Sequence, residues 1–263
     1  MPLLWKTIEE SSLQTWPSLH SNRVGGWHVR ISDGYSKRSN SVSTLDYIHT
    51  DIALEDQIGS CEAVYHKAEL PVVFKMTPFT QPSTLDQQLH LRHYQIQDET
   101  SVQCRSLLGI DGEYEQYKAS IQEKLSQLTY TIEEQWSEVW VQQASLLGEW
   151  SDTTGHSIAK LMSVNTLPKA YMTVYDNEQP VACVIGVIDG EYIGIYDVIT
   201  GASYRRQGIA KMMLYHLMKW AQSQGVSYSY LQVGEHNQAA MKLYAGLGFE
   251  EVYRYWYRVL LEK

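Results

Sequence analysis

The chain has 263 residues, 44% hydrophobic and 19% charged, enough for two ordinary globular domains with ample apolar surface to bury. Its formal net charge of −9 argues against a general nucleic-acid binder, which carries a basic surface. Cys61, Cys104 and Cys183 form no C-x-x-C pair, as expected of reduced thiols. The start, MPLLWKTIEESS, lacks a basic stretch followed by an apolar run, and no apolar segment nears the ~20 residues of a membrane span. The expectation is a cytoplasmic protein with neither a nucleic-acid nor a membrane partner.

In chain order, IEESSLQTW reads as a helix ending near Pro17. GWHVRIS alternates, with Trp27, Val29 and Ile31 on one face and His28 and Arg30 on the other, which is strand periodicity. SNSVSTL is a second short strand. LEDQIGSCEAVYHKAEL reads as a helix stopped by Pro71, VVFKM as a strand, STLDQQLHLRHY as a capped helix, and YQIQ as the start of another strand. DGEYEQYKASIQEKLSQ is polar and helical, and reads as a connector. LTYTIEE suggests a strand and EQWSEVWVQQASLL an amphipathic helix. AYMTVYD, VACVIGVI and YIGIYDVIT are three consecutive strands, with Asn177, Pro180, Asp189 and Gly190 supplying the turns. In KMMLYHLMKWAQSQ, Ile209, Met213, Leu217 and Trp220 recur at helical spacing, so one face is buried. YSYLQV is a strand, NQAAMKLYAGLG a helix closed by Gly246 or Gly248, and FEEVYRYWYRVLLE a final strand.

This succession predicts an α/β fold, a mixed sheet with helices on its faces. The expected division is residues 1–108, a helical connector over 109–127, and residues 128–263. The halves echo each other. EAVYHKAELPVVFKM lies over MMLYHLMKWAQSQGVSYSYLQV, and LDQQLHLRHYQ over AAMKLYAGLGF, each as helix then strand. A degenerate duplication accounts for this, although two unrelated α/β segments would give the same succession.

Arg205, Arg206, Gln207, Gly208, Ile209 and Ala210 join a strand to a helix. A helix start leaves about four backbone N–H groups without intrahelical acceptors, and its dipole favours an anion there. Gly208 lets a phosphate approach the backbone. Between Val198 and Gly234 there is no Asp or Glu, although the chain has 30; the same stretch holds Arg205, Arg206, Lys211 and Lys219. An acidic chain that clears one segment of negative charge suits a polyanionic ligand. Downstream stands a second pattern: Asn237, Ala240, Leu243, Tyr244, Gly248 and Phe249.

In this order the two motifs resemble the GNAT acetyltransferases, over roughly residues 128–263. The resemblance implies a GNAT acyl-CoA N-acyltransferase fold there, and acetyl-CoA as co-substrate without a metal. It implies a strand over residues 196–200 that splays from its neighbour, with Val198 and Thr200 pairing with the pantetheine arm. The backbone of Arg206, Gln207, Gly208, Ile209, Ala210 and Lys211 would hold the pyrophosphate and Asn237 the cofactor arm. Tyr244 would protonate the leaving thiolate. The first half looks like the front half of two-lobed members, a degenerate GNAT-like lobe. Its matching loop reads TDIALEDQIGS, which is acidic and not expected to bind coenzyme A.

The implied chemistry is direct attack of an amine on the thioester, with a backbone N–H on the splayed strand, that of Val198, polarising the carbonyl. Tyr244 is the acid candidate, the alternative being a core tyrosine on an amphipathic helix. For the base, Asp197 has the wrong strand phase unless a bulge redirects it. Glu235 and His236 follow the next strand, and a water chain is the other option. Cys183, inside a strand, does not suit a thiol nucleophile. His90 and His93 lack a third metal ligand. YRYWYR reads as a strand with one buried face, or as a lip on the acceptor pocket. Arg30 and Arg38 could hold an acceptor carboxylate, ion pairs being the default. The acceptor is then a primary amine of a small or amino-acid-like molecule. A protein lysine or N-terminus, a non-catalytic acyl-CoA sensor, and a homodimer scaffold are the alternatives.

Overall fold

The computed structural model describes residues 2–45, 52–120 and 123–261. Its contacts divide into two compact units. The first is Met1–Val102 with Val233–Gln238 and Glu251–Lys263; the second is Gln103–Gln232 with Ala239–Glu250. Both are mixed α/β. Among the described residues no helix is long and apolar enough to cross a membrane.

The first unit opens with α1 (Pro2–Thr15), then β1 (His20–Val24), β2 (Trp27–Ile31) and β3 (Val42–Ser43). After α2 (Leu54–Lys67) come β4 (Val73–Met76), α3 (Leu85–Leu91) and β5 (Gln95–Ser106), whose last residues enter the second unit. The closing strand of the chain, β11 (Glu250–Val259), returns to pair antiparallel with β4, Tyr257 opposite Lys75 and Arg258 opposite Phe74. β1 is absent from the sequence expectation because HSNRV is polar and largely exposed, so no alternation marks it. Thr50 and Asp51 of the TDIALEDQIGS loop lie outside the described residues. The helix that follows carries Glu55 and Asp56 in its first turn.

One face of this sheet packs Trp27, Val29, Val42, Phe74 and Met76 against Ile58, Cys61, Tyr65, Leu85 and Leu89 from α2 and α3. Phe74 meets Trp27 and Tyr94 edge-on at 5.9 and 5.7 Å, a favoured aromatic geometry. Arg258 clips β11 to the start of α3 through a two-pronged contact with Asp86 (2.9 and 2.8 Å), and Trp256 Nε1 donates to the same carboxylate at 3.0 Å. The Arg258 hydrogen bonds hold the Asp86 carboxyl below its usual range.

The opposite face holds a charged cluster. Lys75 Nζ donates to both oxygens of Glu9 on α1, at 2.6 and 2.8 Å; Tyr253 Oη donates to Glu9 at 2.7 Å; and the ammonium lies 4.1 Å over the Tyr255 ring. Both ionised side chains are almost wholly buried, 3% and 1% exposed. Arg30, also buried, donates to the backbone carbonyls of Leu13, Trp16 and Arg38. It therefore ties the end of α1 and the 34–40 loop to β2.

The second unit begins with the end of β5 and runs through α4 (Ile110–Ser120), α5 (Glu123–Ser126), β6 (Thr129–Glu133), α6 (Glu138–Gly148) and α7 (Asp152–Val164). There follow β7 (Lys169–Asp176), β8 (Gln179–Asp189), β9 (Tyr192–Thr200), a 3-10 turn (Ala202–Tyr204), α8 (Ile209–Ser223), β10 (Tyr228–Gly234) and α9 (Gln238–Ala245). Strands β6 to β9 form an antiparallel meander and β10 adds parallel to β9. α7 escapes the sequence reading because DTTGHSIAKLMSV opens on Thr, Thr and Gly. It is started by Ser151, whose hydroxyl accepts from Thr154 N at 3.2 Å, and held by buried Ile158, Leu161 and Met162.

The echo between the halves recurs as topology. In the first unit α2 connects the parallel pair β3 and β4; in the second, α8 connects the parallel pair β9 and β10.

A lone charge left in the Glu9–Lys75 cluster would be expensive. Lys75→Met is expected to cost about 3–5 kcal/mol in urea unfolding. Glu9→Gln in that background should recover part of the loss, since it removes the stranded charge and keeps an acceptor for Tyr253.

Candidate active site

The pairing of β10 with β9 runs in register from Tyr228↔Tyr192 to Leu231↔Ile195, whereas β9 continues to Thr200 and β10 to Gly234. The two strands part just where β9 changes phase against β8. Its register shifts between Ile185↔Tyr196 and Cys183↔Ile199, and Asp197 sits at φ 49°. This is a bulge, which re-aims side chains locally. It places Asp197, Val198 and Thr200, all partly buried, on the segment of β9 beyond the paired stretch. At the end of the paired stretch Tyr196 and Tyr230 meet hydroxyl to hydroxyl at 3.2 Å, a contact not foreseen from sequence.

Beyond β9 the chain makes the 3-10 turn, and Arg205 Nε donates to Thr200 O at 3.1 Å. Arg206 takes φ 61° and Gly208 φ 87°. Gly208 caps α8 without a side-chain hydrogen bond, and the first intrahelical bond is Met212 N to Gly208 O at 3.0 Å. A Cβ on Gly208 would lie 3.2 Å from Leu125 Cδ1, on a backbone that L-residues rarely adopt. The helix tip is therefore built from backbone, with Arg205, Arg206 and Gly208 exposed, Ile209 buried, and no acidic residue in the first turn. Helix physics makes such a tip favourable to an anion.

The sequence reading missed what supports this tip. Tyr117 on α4 donates its hydroxyl to Gly208 O at 3.1 Å and stacks on Tyr215 at 5.0 Å. Lys211 Nζ lies 5.4 Å over the Tyr117 ring. The 109–127 stretch is thus more than a spacer: its aromatic side chains brace the α8 start. Only its tyrosines hint at this in sequence.

Tyr244, on α9, is buried, with its ring 6.0 Å from Phe249. Burial pushes its phenol up to about 12, so it stays protonated at neutral pH and can donate to a thiolate. Arg105 on β5 reaches the Leu247 carbonyl just beyond this helix and pairs with Glu113 at 2.9 Å, a cation at a helix C-terminus. Cys183 is buried, and its thiol is raised far above the ordinary range, first by burial and then by the charge of Asp197.

Glu235, His236 and Asn237 directly follow β10, but by contacts belong to the first unit. Glu235 N donates to Glu99 O at 3.0 Å, and its carboxylate is engaged by Arg254. Asn237 is exposed, its N–H donating to Gly234 O at 2.9 Å. His236 lines a cavity of about 890 Å³ within the first unit, together with Lys37, Arg38, Asp98, Tyr255 and Tyr257. The aromatic tail is accordingly both things at once. Tyr253, Tyr255 and Tyr257 form its buried face, and two of them line a cavity.

A model of the acetyltransferase (GNAT) family matches residues 127–249. This stretch, a little under half of the chain, resembles the acetyltransferases of that family. The chain is 28% identical to an uncharacterised N-acetyltransferase, YobR, of Bacillus subtilis, over 97% of this chain and 98% of that one. Among solved structures it shares the fold of a GCN5-related N-acetyltransferase from Kribbella flavida, with 14% identity and a TM-score of 0.71 over 98% of this chain and 96% of that one. It also shares the fold of a tandem GNAT protein from the clavulanic acid biosynthesis pathway, with 9% identity and a TM-score of 0.65 over 97% and 88%.

Helix α8 also carries a titrating group. His216 accepts or donates with Tyr114 Oη at 3.2 Å, and its ring lies 4.1 Å from that of Tyr130. Burial first, then Lys219 and Lys118, lower its pKa from 6.5 to about 4. The unfolded chain therefore binds the proton more readily. Stability is full above about pH 6.5 and falls as the pH drops toward 4. Near pH 5 the loss is expected to be about 1 kcal/mol, discounted for a partly buried site. His216→Gln should flatten the urea-unfolding profile between pH 7 and pH 5.

Proposed function

We propose that this chain is a GNAT enzyme that transfers an acetyl group from acetyl-CoA to the primary amine of a small or amino-acid-like molecule, by direct attack. The observation that carries the reading is the conjunction at the end of β9. There a parallel pair parts at Ile195 and Leu231, and the following helix starts on a bare glycine at φ 87° with no acid in its first turn.

In this reading Val198 and Thr200 pair with the pantetheine arm, and Asn237 contacts it. The backbone N–H groups of Arg206, Gln207, Gly208, Ile209, Ala210 and Lys211 receive the pyrophosphate, Arg205 adding charge nearby. The amine nitrogen attacks the thioester carbon while the Val198 N–H polarises its oxygen. The carbon–sulfur bond breaks, and Tyr244 gives its proton to the departing sulfur. Of the base candidates, Glu235 is engaged by Arg254, whereas the bulge lifts the phase objection to Asp197, and we assign Asp197 the amine proton. The match of residues 127–249 to the GNAT family model supports the reading.

Thiol release from acetyl-CoA over an amine panel separates an enzyme from a sensor: release with no amine raising it above background would end the transferase reading. Calorimetry tests the helix tip. Gly208→Glu places a carboxylate where the phosphates bind, and is expected to weaken acetyl-CoA binding by about 100-fold or more; equal heats for both proteins would discard this site.

Tyr244→Phe is expected to lower kcat by about 100-fold with acetyl-CoA affinity nearly unchanged. Because the acid titrates only near 12, the wild type should keep its turnover through about pH 10. An undiminished kcat in the variant would remove Tyr244 from the chemistry.

A further inference from the structure

Helix α4 reaches two parts of the second unit from one of its faces. Glu113 and Tyr117 stand one turn apart on it, so their side chains lie on the same side. Three contacts lay the helix along α8: Asp111 with Lys219 at 2.8 Å, Tyr114 with His216 at 3.2 Å, and the Tyr117 ring on that of Tyr215 at 5.0 Å.

The first part is the start of α8. Tyr117 Oη and Met212 N both donate to the Gly208 carbonyl, at 3.1 and 3.0 Å, which fills both lone pairs of that oxygen. The carbonyl shares a planar trans peptide with the Ile209 N–H, which therefore points the opposite way. Fixing the oxygen fixes the direction of this donor. Donation to the carbonyl also polarises the peptide and strengthens its N–H. Gly208, at φ 87°, has no side chain to settle the orientation by itself.

The second part is the end of α9. Glu113 grips the Arg105 guanidinium with both oxygens, at 2.9 and 3.1 Å, and Arg105 donates to the Leu247 carbonyl. Arg105 Nε donates to Ser106 O at 3.0 Å, and only 5% of the side chain is exposed. Its direction is thus set by protein partners. Leu247 N and Phe249 N both return to the Tyr244 carbonyl, each at 3.0 Å. The turn that Arg105 holds is the one that anchors the backbone of Tyr244.

We propose that Tyr117 and Glu113 are positioning residues for the acetyl transfer. Tyr117 aims the backbone that receives the pyrophosphate; Glu113, through Arg105, seats the acid Tyr244. One helix then governs both the grip on the cofactor and the proton for its sulfur. The use made of each part rests on the transferase reading above.

The test is steady-state kinetics with the best amine of the panel and two donors: acetyl-CoA, and S-acetylpantetheine, which carries the thioester without the pyrophosphate. Tyr117→Phe keeps the ring on Tyr215 and removes one hydrogen bond. It should raise KM for acetyl-CoA about fivefold, with kcat in place and both constants for S-acetylpantetheine unchanged. Glu113→Gln should lower kcat about fivefold with both donors and leave KM for acetyl-CoA alone. A structural role alone moves the melting temperature without this split. An unaltered KM for acetyl-CoA in Tyr117→Phe, an equal rise with S-acetylpantetheine, or an unaltered kcat in Glu113→Gln overturns the proposal.

If the wild type releases no thiol with any amine, the transferase reading fails by itself, and amide exchange judges the two seatings. Faster exchange at Met212 in Tyr117→Phe and at Leu247 in Glu113→Gln upholds them; exchange equal to wild type overturns them.

Discussion

Two parallel strands cannot both diverge and satisfy their inward-facing backbone groups, and the second unit leaves that conflict at Ile195 and Leu231. Buried N–H and C=O groups demand partners, which the proposed pantetheine arm would supply to this strand. The bulge at Asp197 is what makes the divergence possible. Without the extra residue β9 would continue in phase with β8 and keep facing β10. The pieces that follow, from the 3-10 turn to the glycine at the α8 start, sit where they do because β9 ends in this way.

The first unit solves a different problem. Its sheet is covered on both faces, by α2 and α3 on one and by α1 on the other, yet it keeps ionised groups inside. Glu9 and Lys75 answer each other, and Arg30 turns its donors to carbonyl oxygens. Such groups contribute little net stability compared with apolar replacements. What they fix is placement: α1 and the 34–40 loop have one way to sit on β2 and β4, and the wall of the cavity inherits that precision.

Much of this was legible from residue order. Alternation in GWHVRIS and the three central strands, and helical spacing in KMMLYHLMKWAQSQ, gave elements close to those observed. The motif around Gly208 was readable because backbone geometry depends on glycine and on missing acids, both visible in a string of letters. Polar β1 and the Thr- and Gly-rich opening of α7 were not, since burial rather than propensity holds them. The brace of Tyr117 under Gly208 and the cavity around Arg38 join residues far apart in sequence. No local pattern announces them. Arg30, read as an ion-pair or acceptor residue, turned out to serve backbone carbonyls.

The partnership of β11 with β4 sets a constraint on biosynthesis. The first unit is begun by β1 to β4, yet the strand beside β4 and the guanidinium that clips it to α3 arrive only with Glu250–Val259. While the ribosome is still at work, Val73 to Met76 present a bare hydrogen-bonding edge over an apolar layer. The amino-terminal unit can complete itself only once the carboxyl-terminal segment has left the exit tunnel. A chain severed at the helical connector would therefore yield two fragments, neither of them a finished lobe.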